Sequence, residues 1–223
     1  MYKAVIFDFN GTLFEDYIFQ EEAWRTIVRK YFNRDMSSAE FLESFYGLGN
    51  VDILAYLNSL DPEKQLDIAV TDEKEQVYRQ ICLDHPETVH FVPGVIETFE
   101  ALTAAGIPIA ICTASEITNV EFYYKFFHLE RWFPSDRIIY DDRTLPIKPA
   151  PDIYLRAMTR MKLAPCDCVI CEDSKNGLLA AVASGAGRVI QRQEDPSGKP
   201  LLDGDQIYAV IHDFIDFYPK YLE

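Results

Sequence analysis

A small set of polar side chains stands just past apolar runs, where chemistry is easiest to place. Asp8 follows Ala4-Val5-Ile6-Phe7, and Asn10-Gly11 comes two residues later. Thr113 and Ser115 follow the apolar run 107–112, Lys148 precedes Pro149, and Glu172-Asp173 follow the run 168–171. Carboxylates from two separate runs offer hard oxygen donors, which suit Mg²⁺. A hydroxyl and an ammonium group beside them are what a phosphate dianion needs for neutralisation. A carboxylate flanked by a metal can serve as a nucleophile, splitting one displacement into two through an aspartyl-phosphate. Each residue also has a plain structural use. Asp8 and Asn10 suit a turn, Thr113 a helix cap, Lys148 a solvated loop, and Glu172-Asp173 the acid-favouring start of a helix. Taken singly, the residues leave both readings open.

What separates the readings is whether the chain brings these positions together. The run 4–7 is rich in β-branched and aromatic types and ends in Asn-Gly, so it reads as a buried strand running into a turn. The segment 14–86 carries a helical pattern instead, with Ala23, Trp24, Ile27, Val28 and Tyr31, then Ile53, Leu54 and Leu57, at helical spacing. Ser37 is placed to cap a helix with Glu40 three residues on, and Asp61-Pro62 reads as the start of another helix reaching Leu83. Strand and helix then alternate from Phe91. Helices are expected over 95–105, 117–127, 152–161, 175–184 and 208–218, and strands over 107–112, 137–140, 168–171 and 187–191. Such alternation implies an α/β fold, a doubly wound parallel sheet whose strand ends gather on one edge. The expected division is a Rossmann-like core of residues 1–14 and 88–223, with an inserted α-helical unit of residues 15–87.

Composition narrows the partners. Thirty-six acidic against 21 basic residues give a net charge of -15 over 223 residues. Such a charge repels nucleic acid and anionic membranes, so neither is expected as a partner. No apolar run approaches the length of a membrane span and the N-terminal residues enter the first strand directly, so a cytoplasmic location is expected. Cys82, Cys112, Cys166, Cys168 and Cys171 are odd in number and lie mostly in apolar stretches, as reduced thiols do. The cluster at 166–171 lacks a second ligand pair, so core packing is favoured over a soft-metal site. Trp132, Phe133 and Phe122-Tyr123-Tyr124 read as core and helix packing rather than as a partner surface. A monomer or weak homodimer is expected.

The ordered motifs resemble the haloacid dehalogenase superfamily of phosphohydrolases, in the branch whose helical cap is inserted after the first strand. The resemblance rests on Asp8 to Thr12, on Thr113, on Lys148-Pro149-Ala150-Pro151-Asp152-Ile153-Tyr154, and on Glu172-Asp173-Ser174 continuing to Gly177. It implies Asp8 as nucleophile and Mg²⁺ ligand, with the backbone carbonyl of Asn10 and the carboxylate of Asp173 completing the protein's ligands. Glu172 is implied as a further ligand or as an acceptor beside them. Thr113 and Lys148 would hold the transferring phosphoryl group, with the amides of Phe9 and Ala114 and the hydroxyl of Ser115 nearby. Gly47, Leu48 and Gly49 would fall in the cap's specificity loop, for which a plain connector is the structural alternative.

Asn10 departs from the family pattern. Phosphatases and mutases of the family carry Asp there, as acid for the leaving group and base for water. An amide does neither near neutral pH, which typically removes about 10²–10⁴ in rate. A slow or differently assisted hydrolase and an engineered substitution are the competing explanations, with the family's dehalogenase and phosphonatase branches least favoured, and Asn10-Gly11 could also deamidate to Asp. The implied activity is Mg²⁺-dependent hydrolysis of a small phosphorylated metabolite, with a sugar phosphate in view. A β-phosphoglucomutase-like transferase is less favoured, since Gln20 and Ser44 stand where mutases carry His and Arg. A phosphate-binding protein without turnover is the third reading.

Overall fold

The computed structural model describes residues 2–202 and 204–222. The chain divides into two compact units, one of residues 1–15 and 90–223 and the other of residues 16–89.

The first unit is built on a six-stranded, wholly parallel sheet with strand order β3-β2-β1-β4-β5-β6. Its strands are β1 (Ala4–Phe7), β2 (Ile109–Cys112), β3 (Ile138–Ile139), β4 (Cys168–Glu172), β5 (Arg188–Arg192) and β6 (Ala209–Ile211). β1, β2 and β4 are buried throughout, which is why they read as unbroken apolar runs. Sequential strands step outward from β1 on one side, and then the chain crosses to β4 on the other. That reversal is a topological switch point, where the loops after β1 and β4 splay apart and leave a crevice at the strands' carboxyl ends. Side chains Ala4, Ile6, Ala110, Cys112, Tyr154, Met158, Ile170 and Leu178 pack into one continuous core. Phe7 sits among Phe99, Phe214 and Phe217 with ring centroids 5.5, 5.9 and 6.4 Å away.

The second unit contains α1 (Tyr17–Phe32), α2 (Ser38–Ser44), α3 (Asn50–Leu60) and α4 (Ala69–Asp84). Trp24, Ile27, Val28, Phe41, Phe45, Ile53, Leu54 and Leu57 form its own core. Beside that core lies a buried polar cluster. Lys74, only 2% exposed, donates to Gln20 and to Glu75 Oε1 (2.9 Å), and Asn50 Nδ2 donates to Glu75 Oε1 at 2.6 Å. The Tyr78 hydroxyl and Gln20 Nε2 both donate to Asp16 Oδ2, at 2.8 and 2.9 Å. Lys74 Nζ also lies 5.5 and 5.4 Å from the ring centroids of Trp24 and Tyr78.

Ser37 caps α2, its hydroxyl accepting from Glu40 N at 3.1 Å. Two expected helices are corrected. Asp61-Pro62 opens a turn rather than a helix, because Asp61 Oδ1 accepts from Glu63 N and Asn58 Oδ1 takes the Leu66 amide at 2.7 Å, folding the segment back on α3. α4 starts only at Ala69, where Asp67 Oδ1 accepts the Ala69 amide. The expected helix over 208–218 is β6 followed by the short helix Phe217–Tyr221, since Ala209 to Ile211 find open hydrogen-bonding groups on β5. Phe91 contributes a single bridge to Phe14 rather than a strand. Among the described residues, no helix is long and apolar enough to cross a membrane.

Candidate active site

Register places the chemistry. Phe7 pairs with Ile111 on one side and Cys171 on the other, so the next positions, Asp8, Cys112 and Glu172, stand abreast at the carboxyl edge of the sheet. Lys148, from the loop between β3 and α7 (Asp152–Met161), reaches this edge with its ammonium group. Its Nζ lies 2.6 Å from both Asp8 Oδ1 and Glu172 Oε1 and donates to the Cys112 carbonyl at 3.3 Å. Asp8 and Glu172 are 6% and 1% exposed, so these are buried charges. Burial alone would push the lysine down, but the negative charges of Asp8 and Glu172 win and hold it protonated well above its ordinary range.

Glu172 has both oxygens engaged. Tyr154 donates its hydroxyl to Oε1 at 3.2 Å, while Ser174 gives its amide (2.7 Å) and hydroxyl (3.1 Å) to Oε2. Gly177, in the first turn of α8 (Lys175–Ala183), lies so close that a Cβ there would overlap the Glu172 carboxylate. Asp173 accepts from the buried Thr12 hydroxyl at 2.9 Å, and its carboxylate abuts Gly11, whose φ of +78° and lack of Cβ permit that approach. Burial first, then the charges of Glu172 and Asp8, hold the Asp173 carboxyl well above the usual carboxylate range.

The chemistry of the donor set fits a divalent cation. Oxygens of Asp8, Glu172 and Asp173 lie within 4.8 Å of one another, all of the hard type that Mg²⁺ takes. The crowding that holds Asp173 up is the repulsion a divalent cation among these oxygens would relieve.

Asn10 is held on both faces of its amide. Ser115 Oγ donates to Asn10 Oδ1 at 2.9 Å, with the Thr113 hydroxyl at 3.4 Å, and Asn10 Nδ2 donates to the Tyr123 hydroxyl at 2.9 Å. Deamidation needs the Gly11 amide nitrogen to attack Asn10 Cγ. That nitrogen instead donates to the Phe14 carbonyl at 2.7 Å, so the folded loop disfavours the reaction.

Asp8, Asn10, Thr113, Ser115, Lys148, Glu172 and Asp173 are thus brought to one edge of one sheet. Thr113, 2% exposed, accepts the Ser115 amide on its hydroxyl at 3.1 Å rather than capping α6 (Ile117–Phe126). Ala114 is exposed between Thr113 and Ser115. The Phe9 side chain turns away into the core, stacked on Tyr123 with centroids 4.5 Å apart. Gly47 and Leu48 belong to the second unit, in the connector between α2 and α3, where Leu48 is 45% exposed. Sequence reasoning missed Tyr123, which sits in an aromatic run that reads as packing. It also assigned no role to Thr12, Tyr154 or Arg192. Tyr154 could have been found from its place in the same motif as Lys148, six residues on; Arg192 carries no local signal.

The family profile described as haloacid dehalogenase-like hydrolase matches residues 2–185. The chain is 28% identical to a phosphorylated carbohydrates phosphatase of Thermotoga maritima, over 93% of this chain and 94% of that protein. It is also 28% identical to a fructose-1-phosphate phosphatase of Escherichia coli, over 84% of this chain and 95% of that one. Among solved structures, a HAD hydrolase of family IA, variant 3, from Entamoeba histolytica superposes with a TM-score of 0.86 at 31% identity, covering 96% of this chain and 94% of that one. A profile that spans most of the sequence, together with its motifs meeting at the switch point of the sheet, leads to one conclusion: the chain belongs to the haloacid dehalogenase-like hydrolase family.

Proposed function

We propose that this chain is a Mg²⁺-dependent phosphatase of small phosphomonoesters, sugar phosphates foremost, working through an aspartyl-phosphate on Asp8. The observation that carries the reading is the Lys148 ammonium bridging Asp8 and Glu172 at 2.6 Å each, at an edge where the carboxyl group of Asp173 joins theirs within 4.8 Å. The named phosphatases among its relatives support the substrate class.

Asp8 and Asp173, with the Asn10 carbonyl, would hold Mg²⁺, and the second unit would serve as the cap. When bound, the ion supplies charge neutralisation between the attacking carboxylate and the phosphoryl oxygens. Glu172, with both oxygens engaged, orients Lys148 and adds to the field rather than coordinating directly. An Asp8 carboxylate oxygen attacks phosphorus, the ester P–O bond breaks, and the alkoxide leaves with that bond's electron pair. Lys148 and Thr113 steady the phosphoryl oxygens as charge shifts onto them. Water then attacks phosphorus, the acyl-phosphate bond breaks, inorganic phosphate leaves and the Asp8 carboxylate is restored.

Both steps need a proton carrier, for the alkoxide and then for the water. Asn10 supplies neither, so turnover by this chain is slow. The amide's fixed place between Ser115 and Tyr123 favours a second reading, a protein that binds phosphate esters with little turnover. A phosphate-release assay with Mg²⁺ over a panel of sugar phosphates tests both. Release that disappears in Asp8→Ala supports the phosphatase, and release unchanged in Asp8→Ala refutes it. Tight ester binding with no release by the unaltered chain supports the second reading.

A further inference from the structure

Arg192 ends β5, is 3% exposed, and lies outside every motif that carries the family resemblance. Its guanidinium is directed at the loop that follows β1. Nη1 donates to the Gly11 carbonyl at 2.9 Å, the other terminal nitrogen pairs with the Glu15 carboxylate, and Nε donates to the His212 carbonyl at 3.3 Å. One fork therefore grips the loop in its middle and again four residues on. Resting on the phosphatase reading above, the geometry points to Arg192 as a positioning residue for the metal-binding carboxylate Asp173, acting through Gly11 and Thr12.

The loop it grips has little slack. Gly11 N donates to Phe14 O at 2.7 Å, and the amides of Leu13 and Phe14 both donate to Phe9 O, at 2.9 and 3.1 Å. Gly11 is pressed against the Asp173 carboxylate, and the next residue, Thr12, donates its hydroxyl to Asp173 Oδ1 at 2.9 Å. Asp173 is therefore held by two consecutive residues of this loop. The loop's carbonyl at Gly11 is held in turn by Arg192. Releasing that carbonyl lets Gly11 and Thr12 move together, and Asp173 loses its hydrogen-bond donor and its close steric neighbour at once. The Asn10 carbonyl, one peptide earlier, shifts with them.

Only a guanidinium fits this task. Its planar fork presents several donors in fixed directions and stays charged when buried, whereas a lysine offers one compact ammonium that cannot hold a mid-loop carbonyl and a distant carboxylate together. A purely structural arginine would affect stability alone.

The two cases separate in an experiment on the whole chain. Amide exchange over residues 9–15 and Mg²⁺ affinity by calorimetry are measured for the unaltered protein, Arg192→Lys, Glu15→Gln and Leu57→Ala. Leu57→Ala is the control for lowered stability, since Leu57 is fully buried in the second unit's own core. Arg192→Lys is expected to speed exchange at Gly11, Leu13 and Phe14 and to weaken Mg²⁺ about 10–100-fold, as loss of a residue that orients a metal ligand does. Glu15→Gln is expected to shift both in the same direction but less, and Leu57→Ala neither. Native-like exchange and affinity in Arg192→Lys would overturn the proposal. If Arg192→Lys does not fold, native-like values in Glu15→Gln would overturn it. Should the unaltered protein bind no Mg²⁺, the phosphatase reading fails instead, and exchange at 11–14 decides whether Arg192 holds the loop.

Discussion

Each of the two units buries a lysine among acids, and the two clusters are built in opposite ways. In the second unit, Lys74 pairs with Glu75 and donates to Gln20, Gln20 and Tyr78 donate to Asp16, and Asn50 donates to Glu75. Two aromatic rings lie near the ammonium, and each acid accepts from neutral donors. At the sheet edge of the first unit, Lys148 pairs with Asp8 and Glu172, Asp173 crowds beside them, and the acids come from neighbouring strand ends whose spacing is set by the sheet. A buried polar cluster that satisfies itself holds a fold together. One left with crowded acids is poised for a ligand of opposite charge, because without it one carboxyl must hold its proton or repel its neighbours in a medium that screens poorly.

The largest expected effect is Asn10→Asp, which restores a proton carrier between Ser115 and Tyr123, both able to donate to a carboxylate. Phosphate release should rise by about 10²–10⁴, and unchanged release would show that the missing acid is not what limits turnover. Next come the two lysines. Lys74→Met and Lys148→Met each leave buried carboxylates without their cation and should destabilise by about 3–5 kcal/mol in thermal or urea unfolding. Millimolar Mg²⁺ should recover most of the loss for Lys148→Met and none of it for Lys74→Met; equal recovery would erase the distinction drawn between the clusters.

Gly177→Ala is a smaller perturbation. Its methyl group forces the Glu172 carboxylate away from Lys148, and Mg²⁺ affinity should fall about tenfold with little change in the second unit. The smallest effect lies outside both clusters, at Asp142. There Thr144, and then Arg156, hold the carboxyl down at about 2 from an ordinary 3.8. The stabilisation is present above pH 3.8 and lost as pH falls through about 2, so Asp142→Asn should flatten only that acid limb of the unfolding curve. A change near neutral pH would contradict the assignment.

How much of this was readable in advance differs by element. β1, β2 and β4 were legible because burial on both faces leaves unbroken apolar runs, and the residues just past them named most of the candidate site. Ser37 was legible as a cap because its signal is local. Asp61-Pro62 misled because the turn there depends on Asn58 reaching across to Leu66, a contact invisible to periodicity. β6 misled for a related reason: the same residues can alternate or spiral, and the open edge of β5 decides.

The sequence by itself determined which groups could do the chemistry and the order in which strands present them, since residue types fix proton affinities and donor sets, and buried strands fix apolar runs. It also exposed the doubt at Asn10, because an amide lacks an exchangeable proton of the needed strength wherever it sits. Tertiary structure alone decided that Lys148 bridges Asp8 and Glu172, that Tyr123 and Ser115 hold Asn10, and that Arg192 grips Gly11. These contacts join residues 113 to 181 positions apart in the cases of Tyr123 and Arg192, and hydrogen bonds of a few ångströms across such separations are set by sheet register and loop packing, which no local pattern encodes.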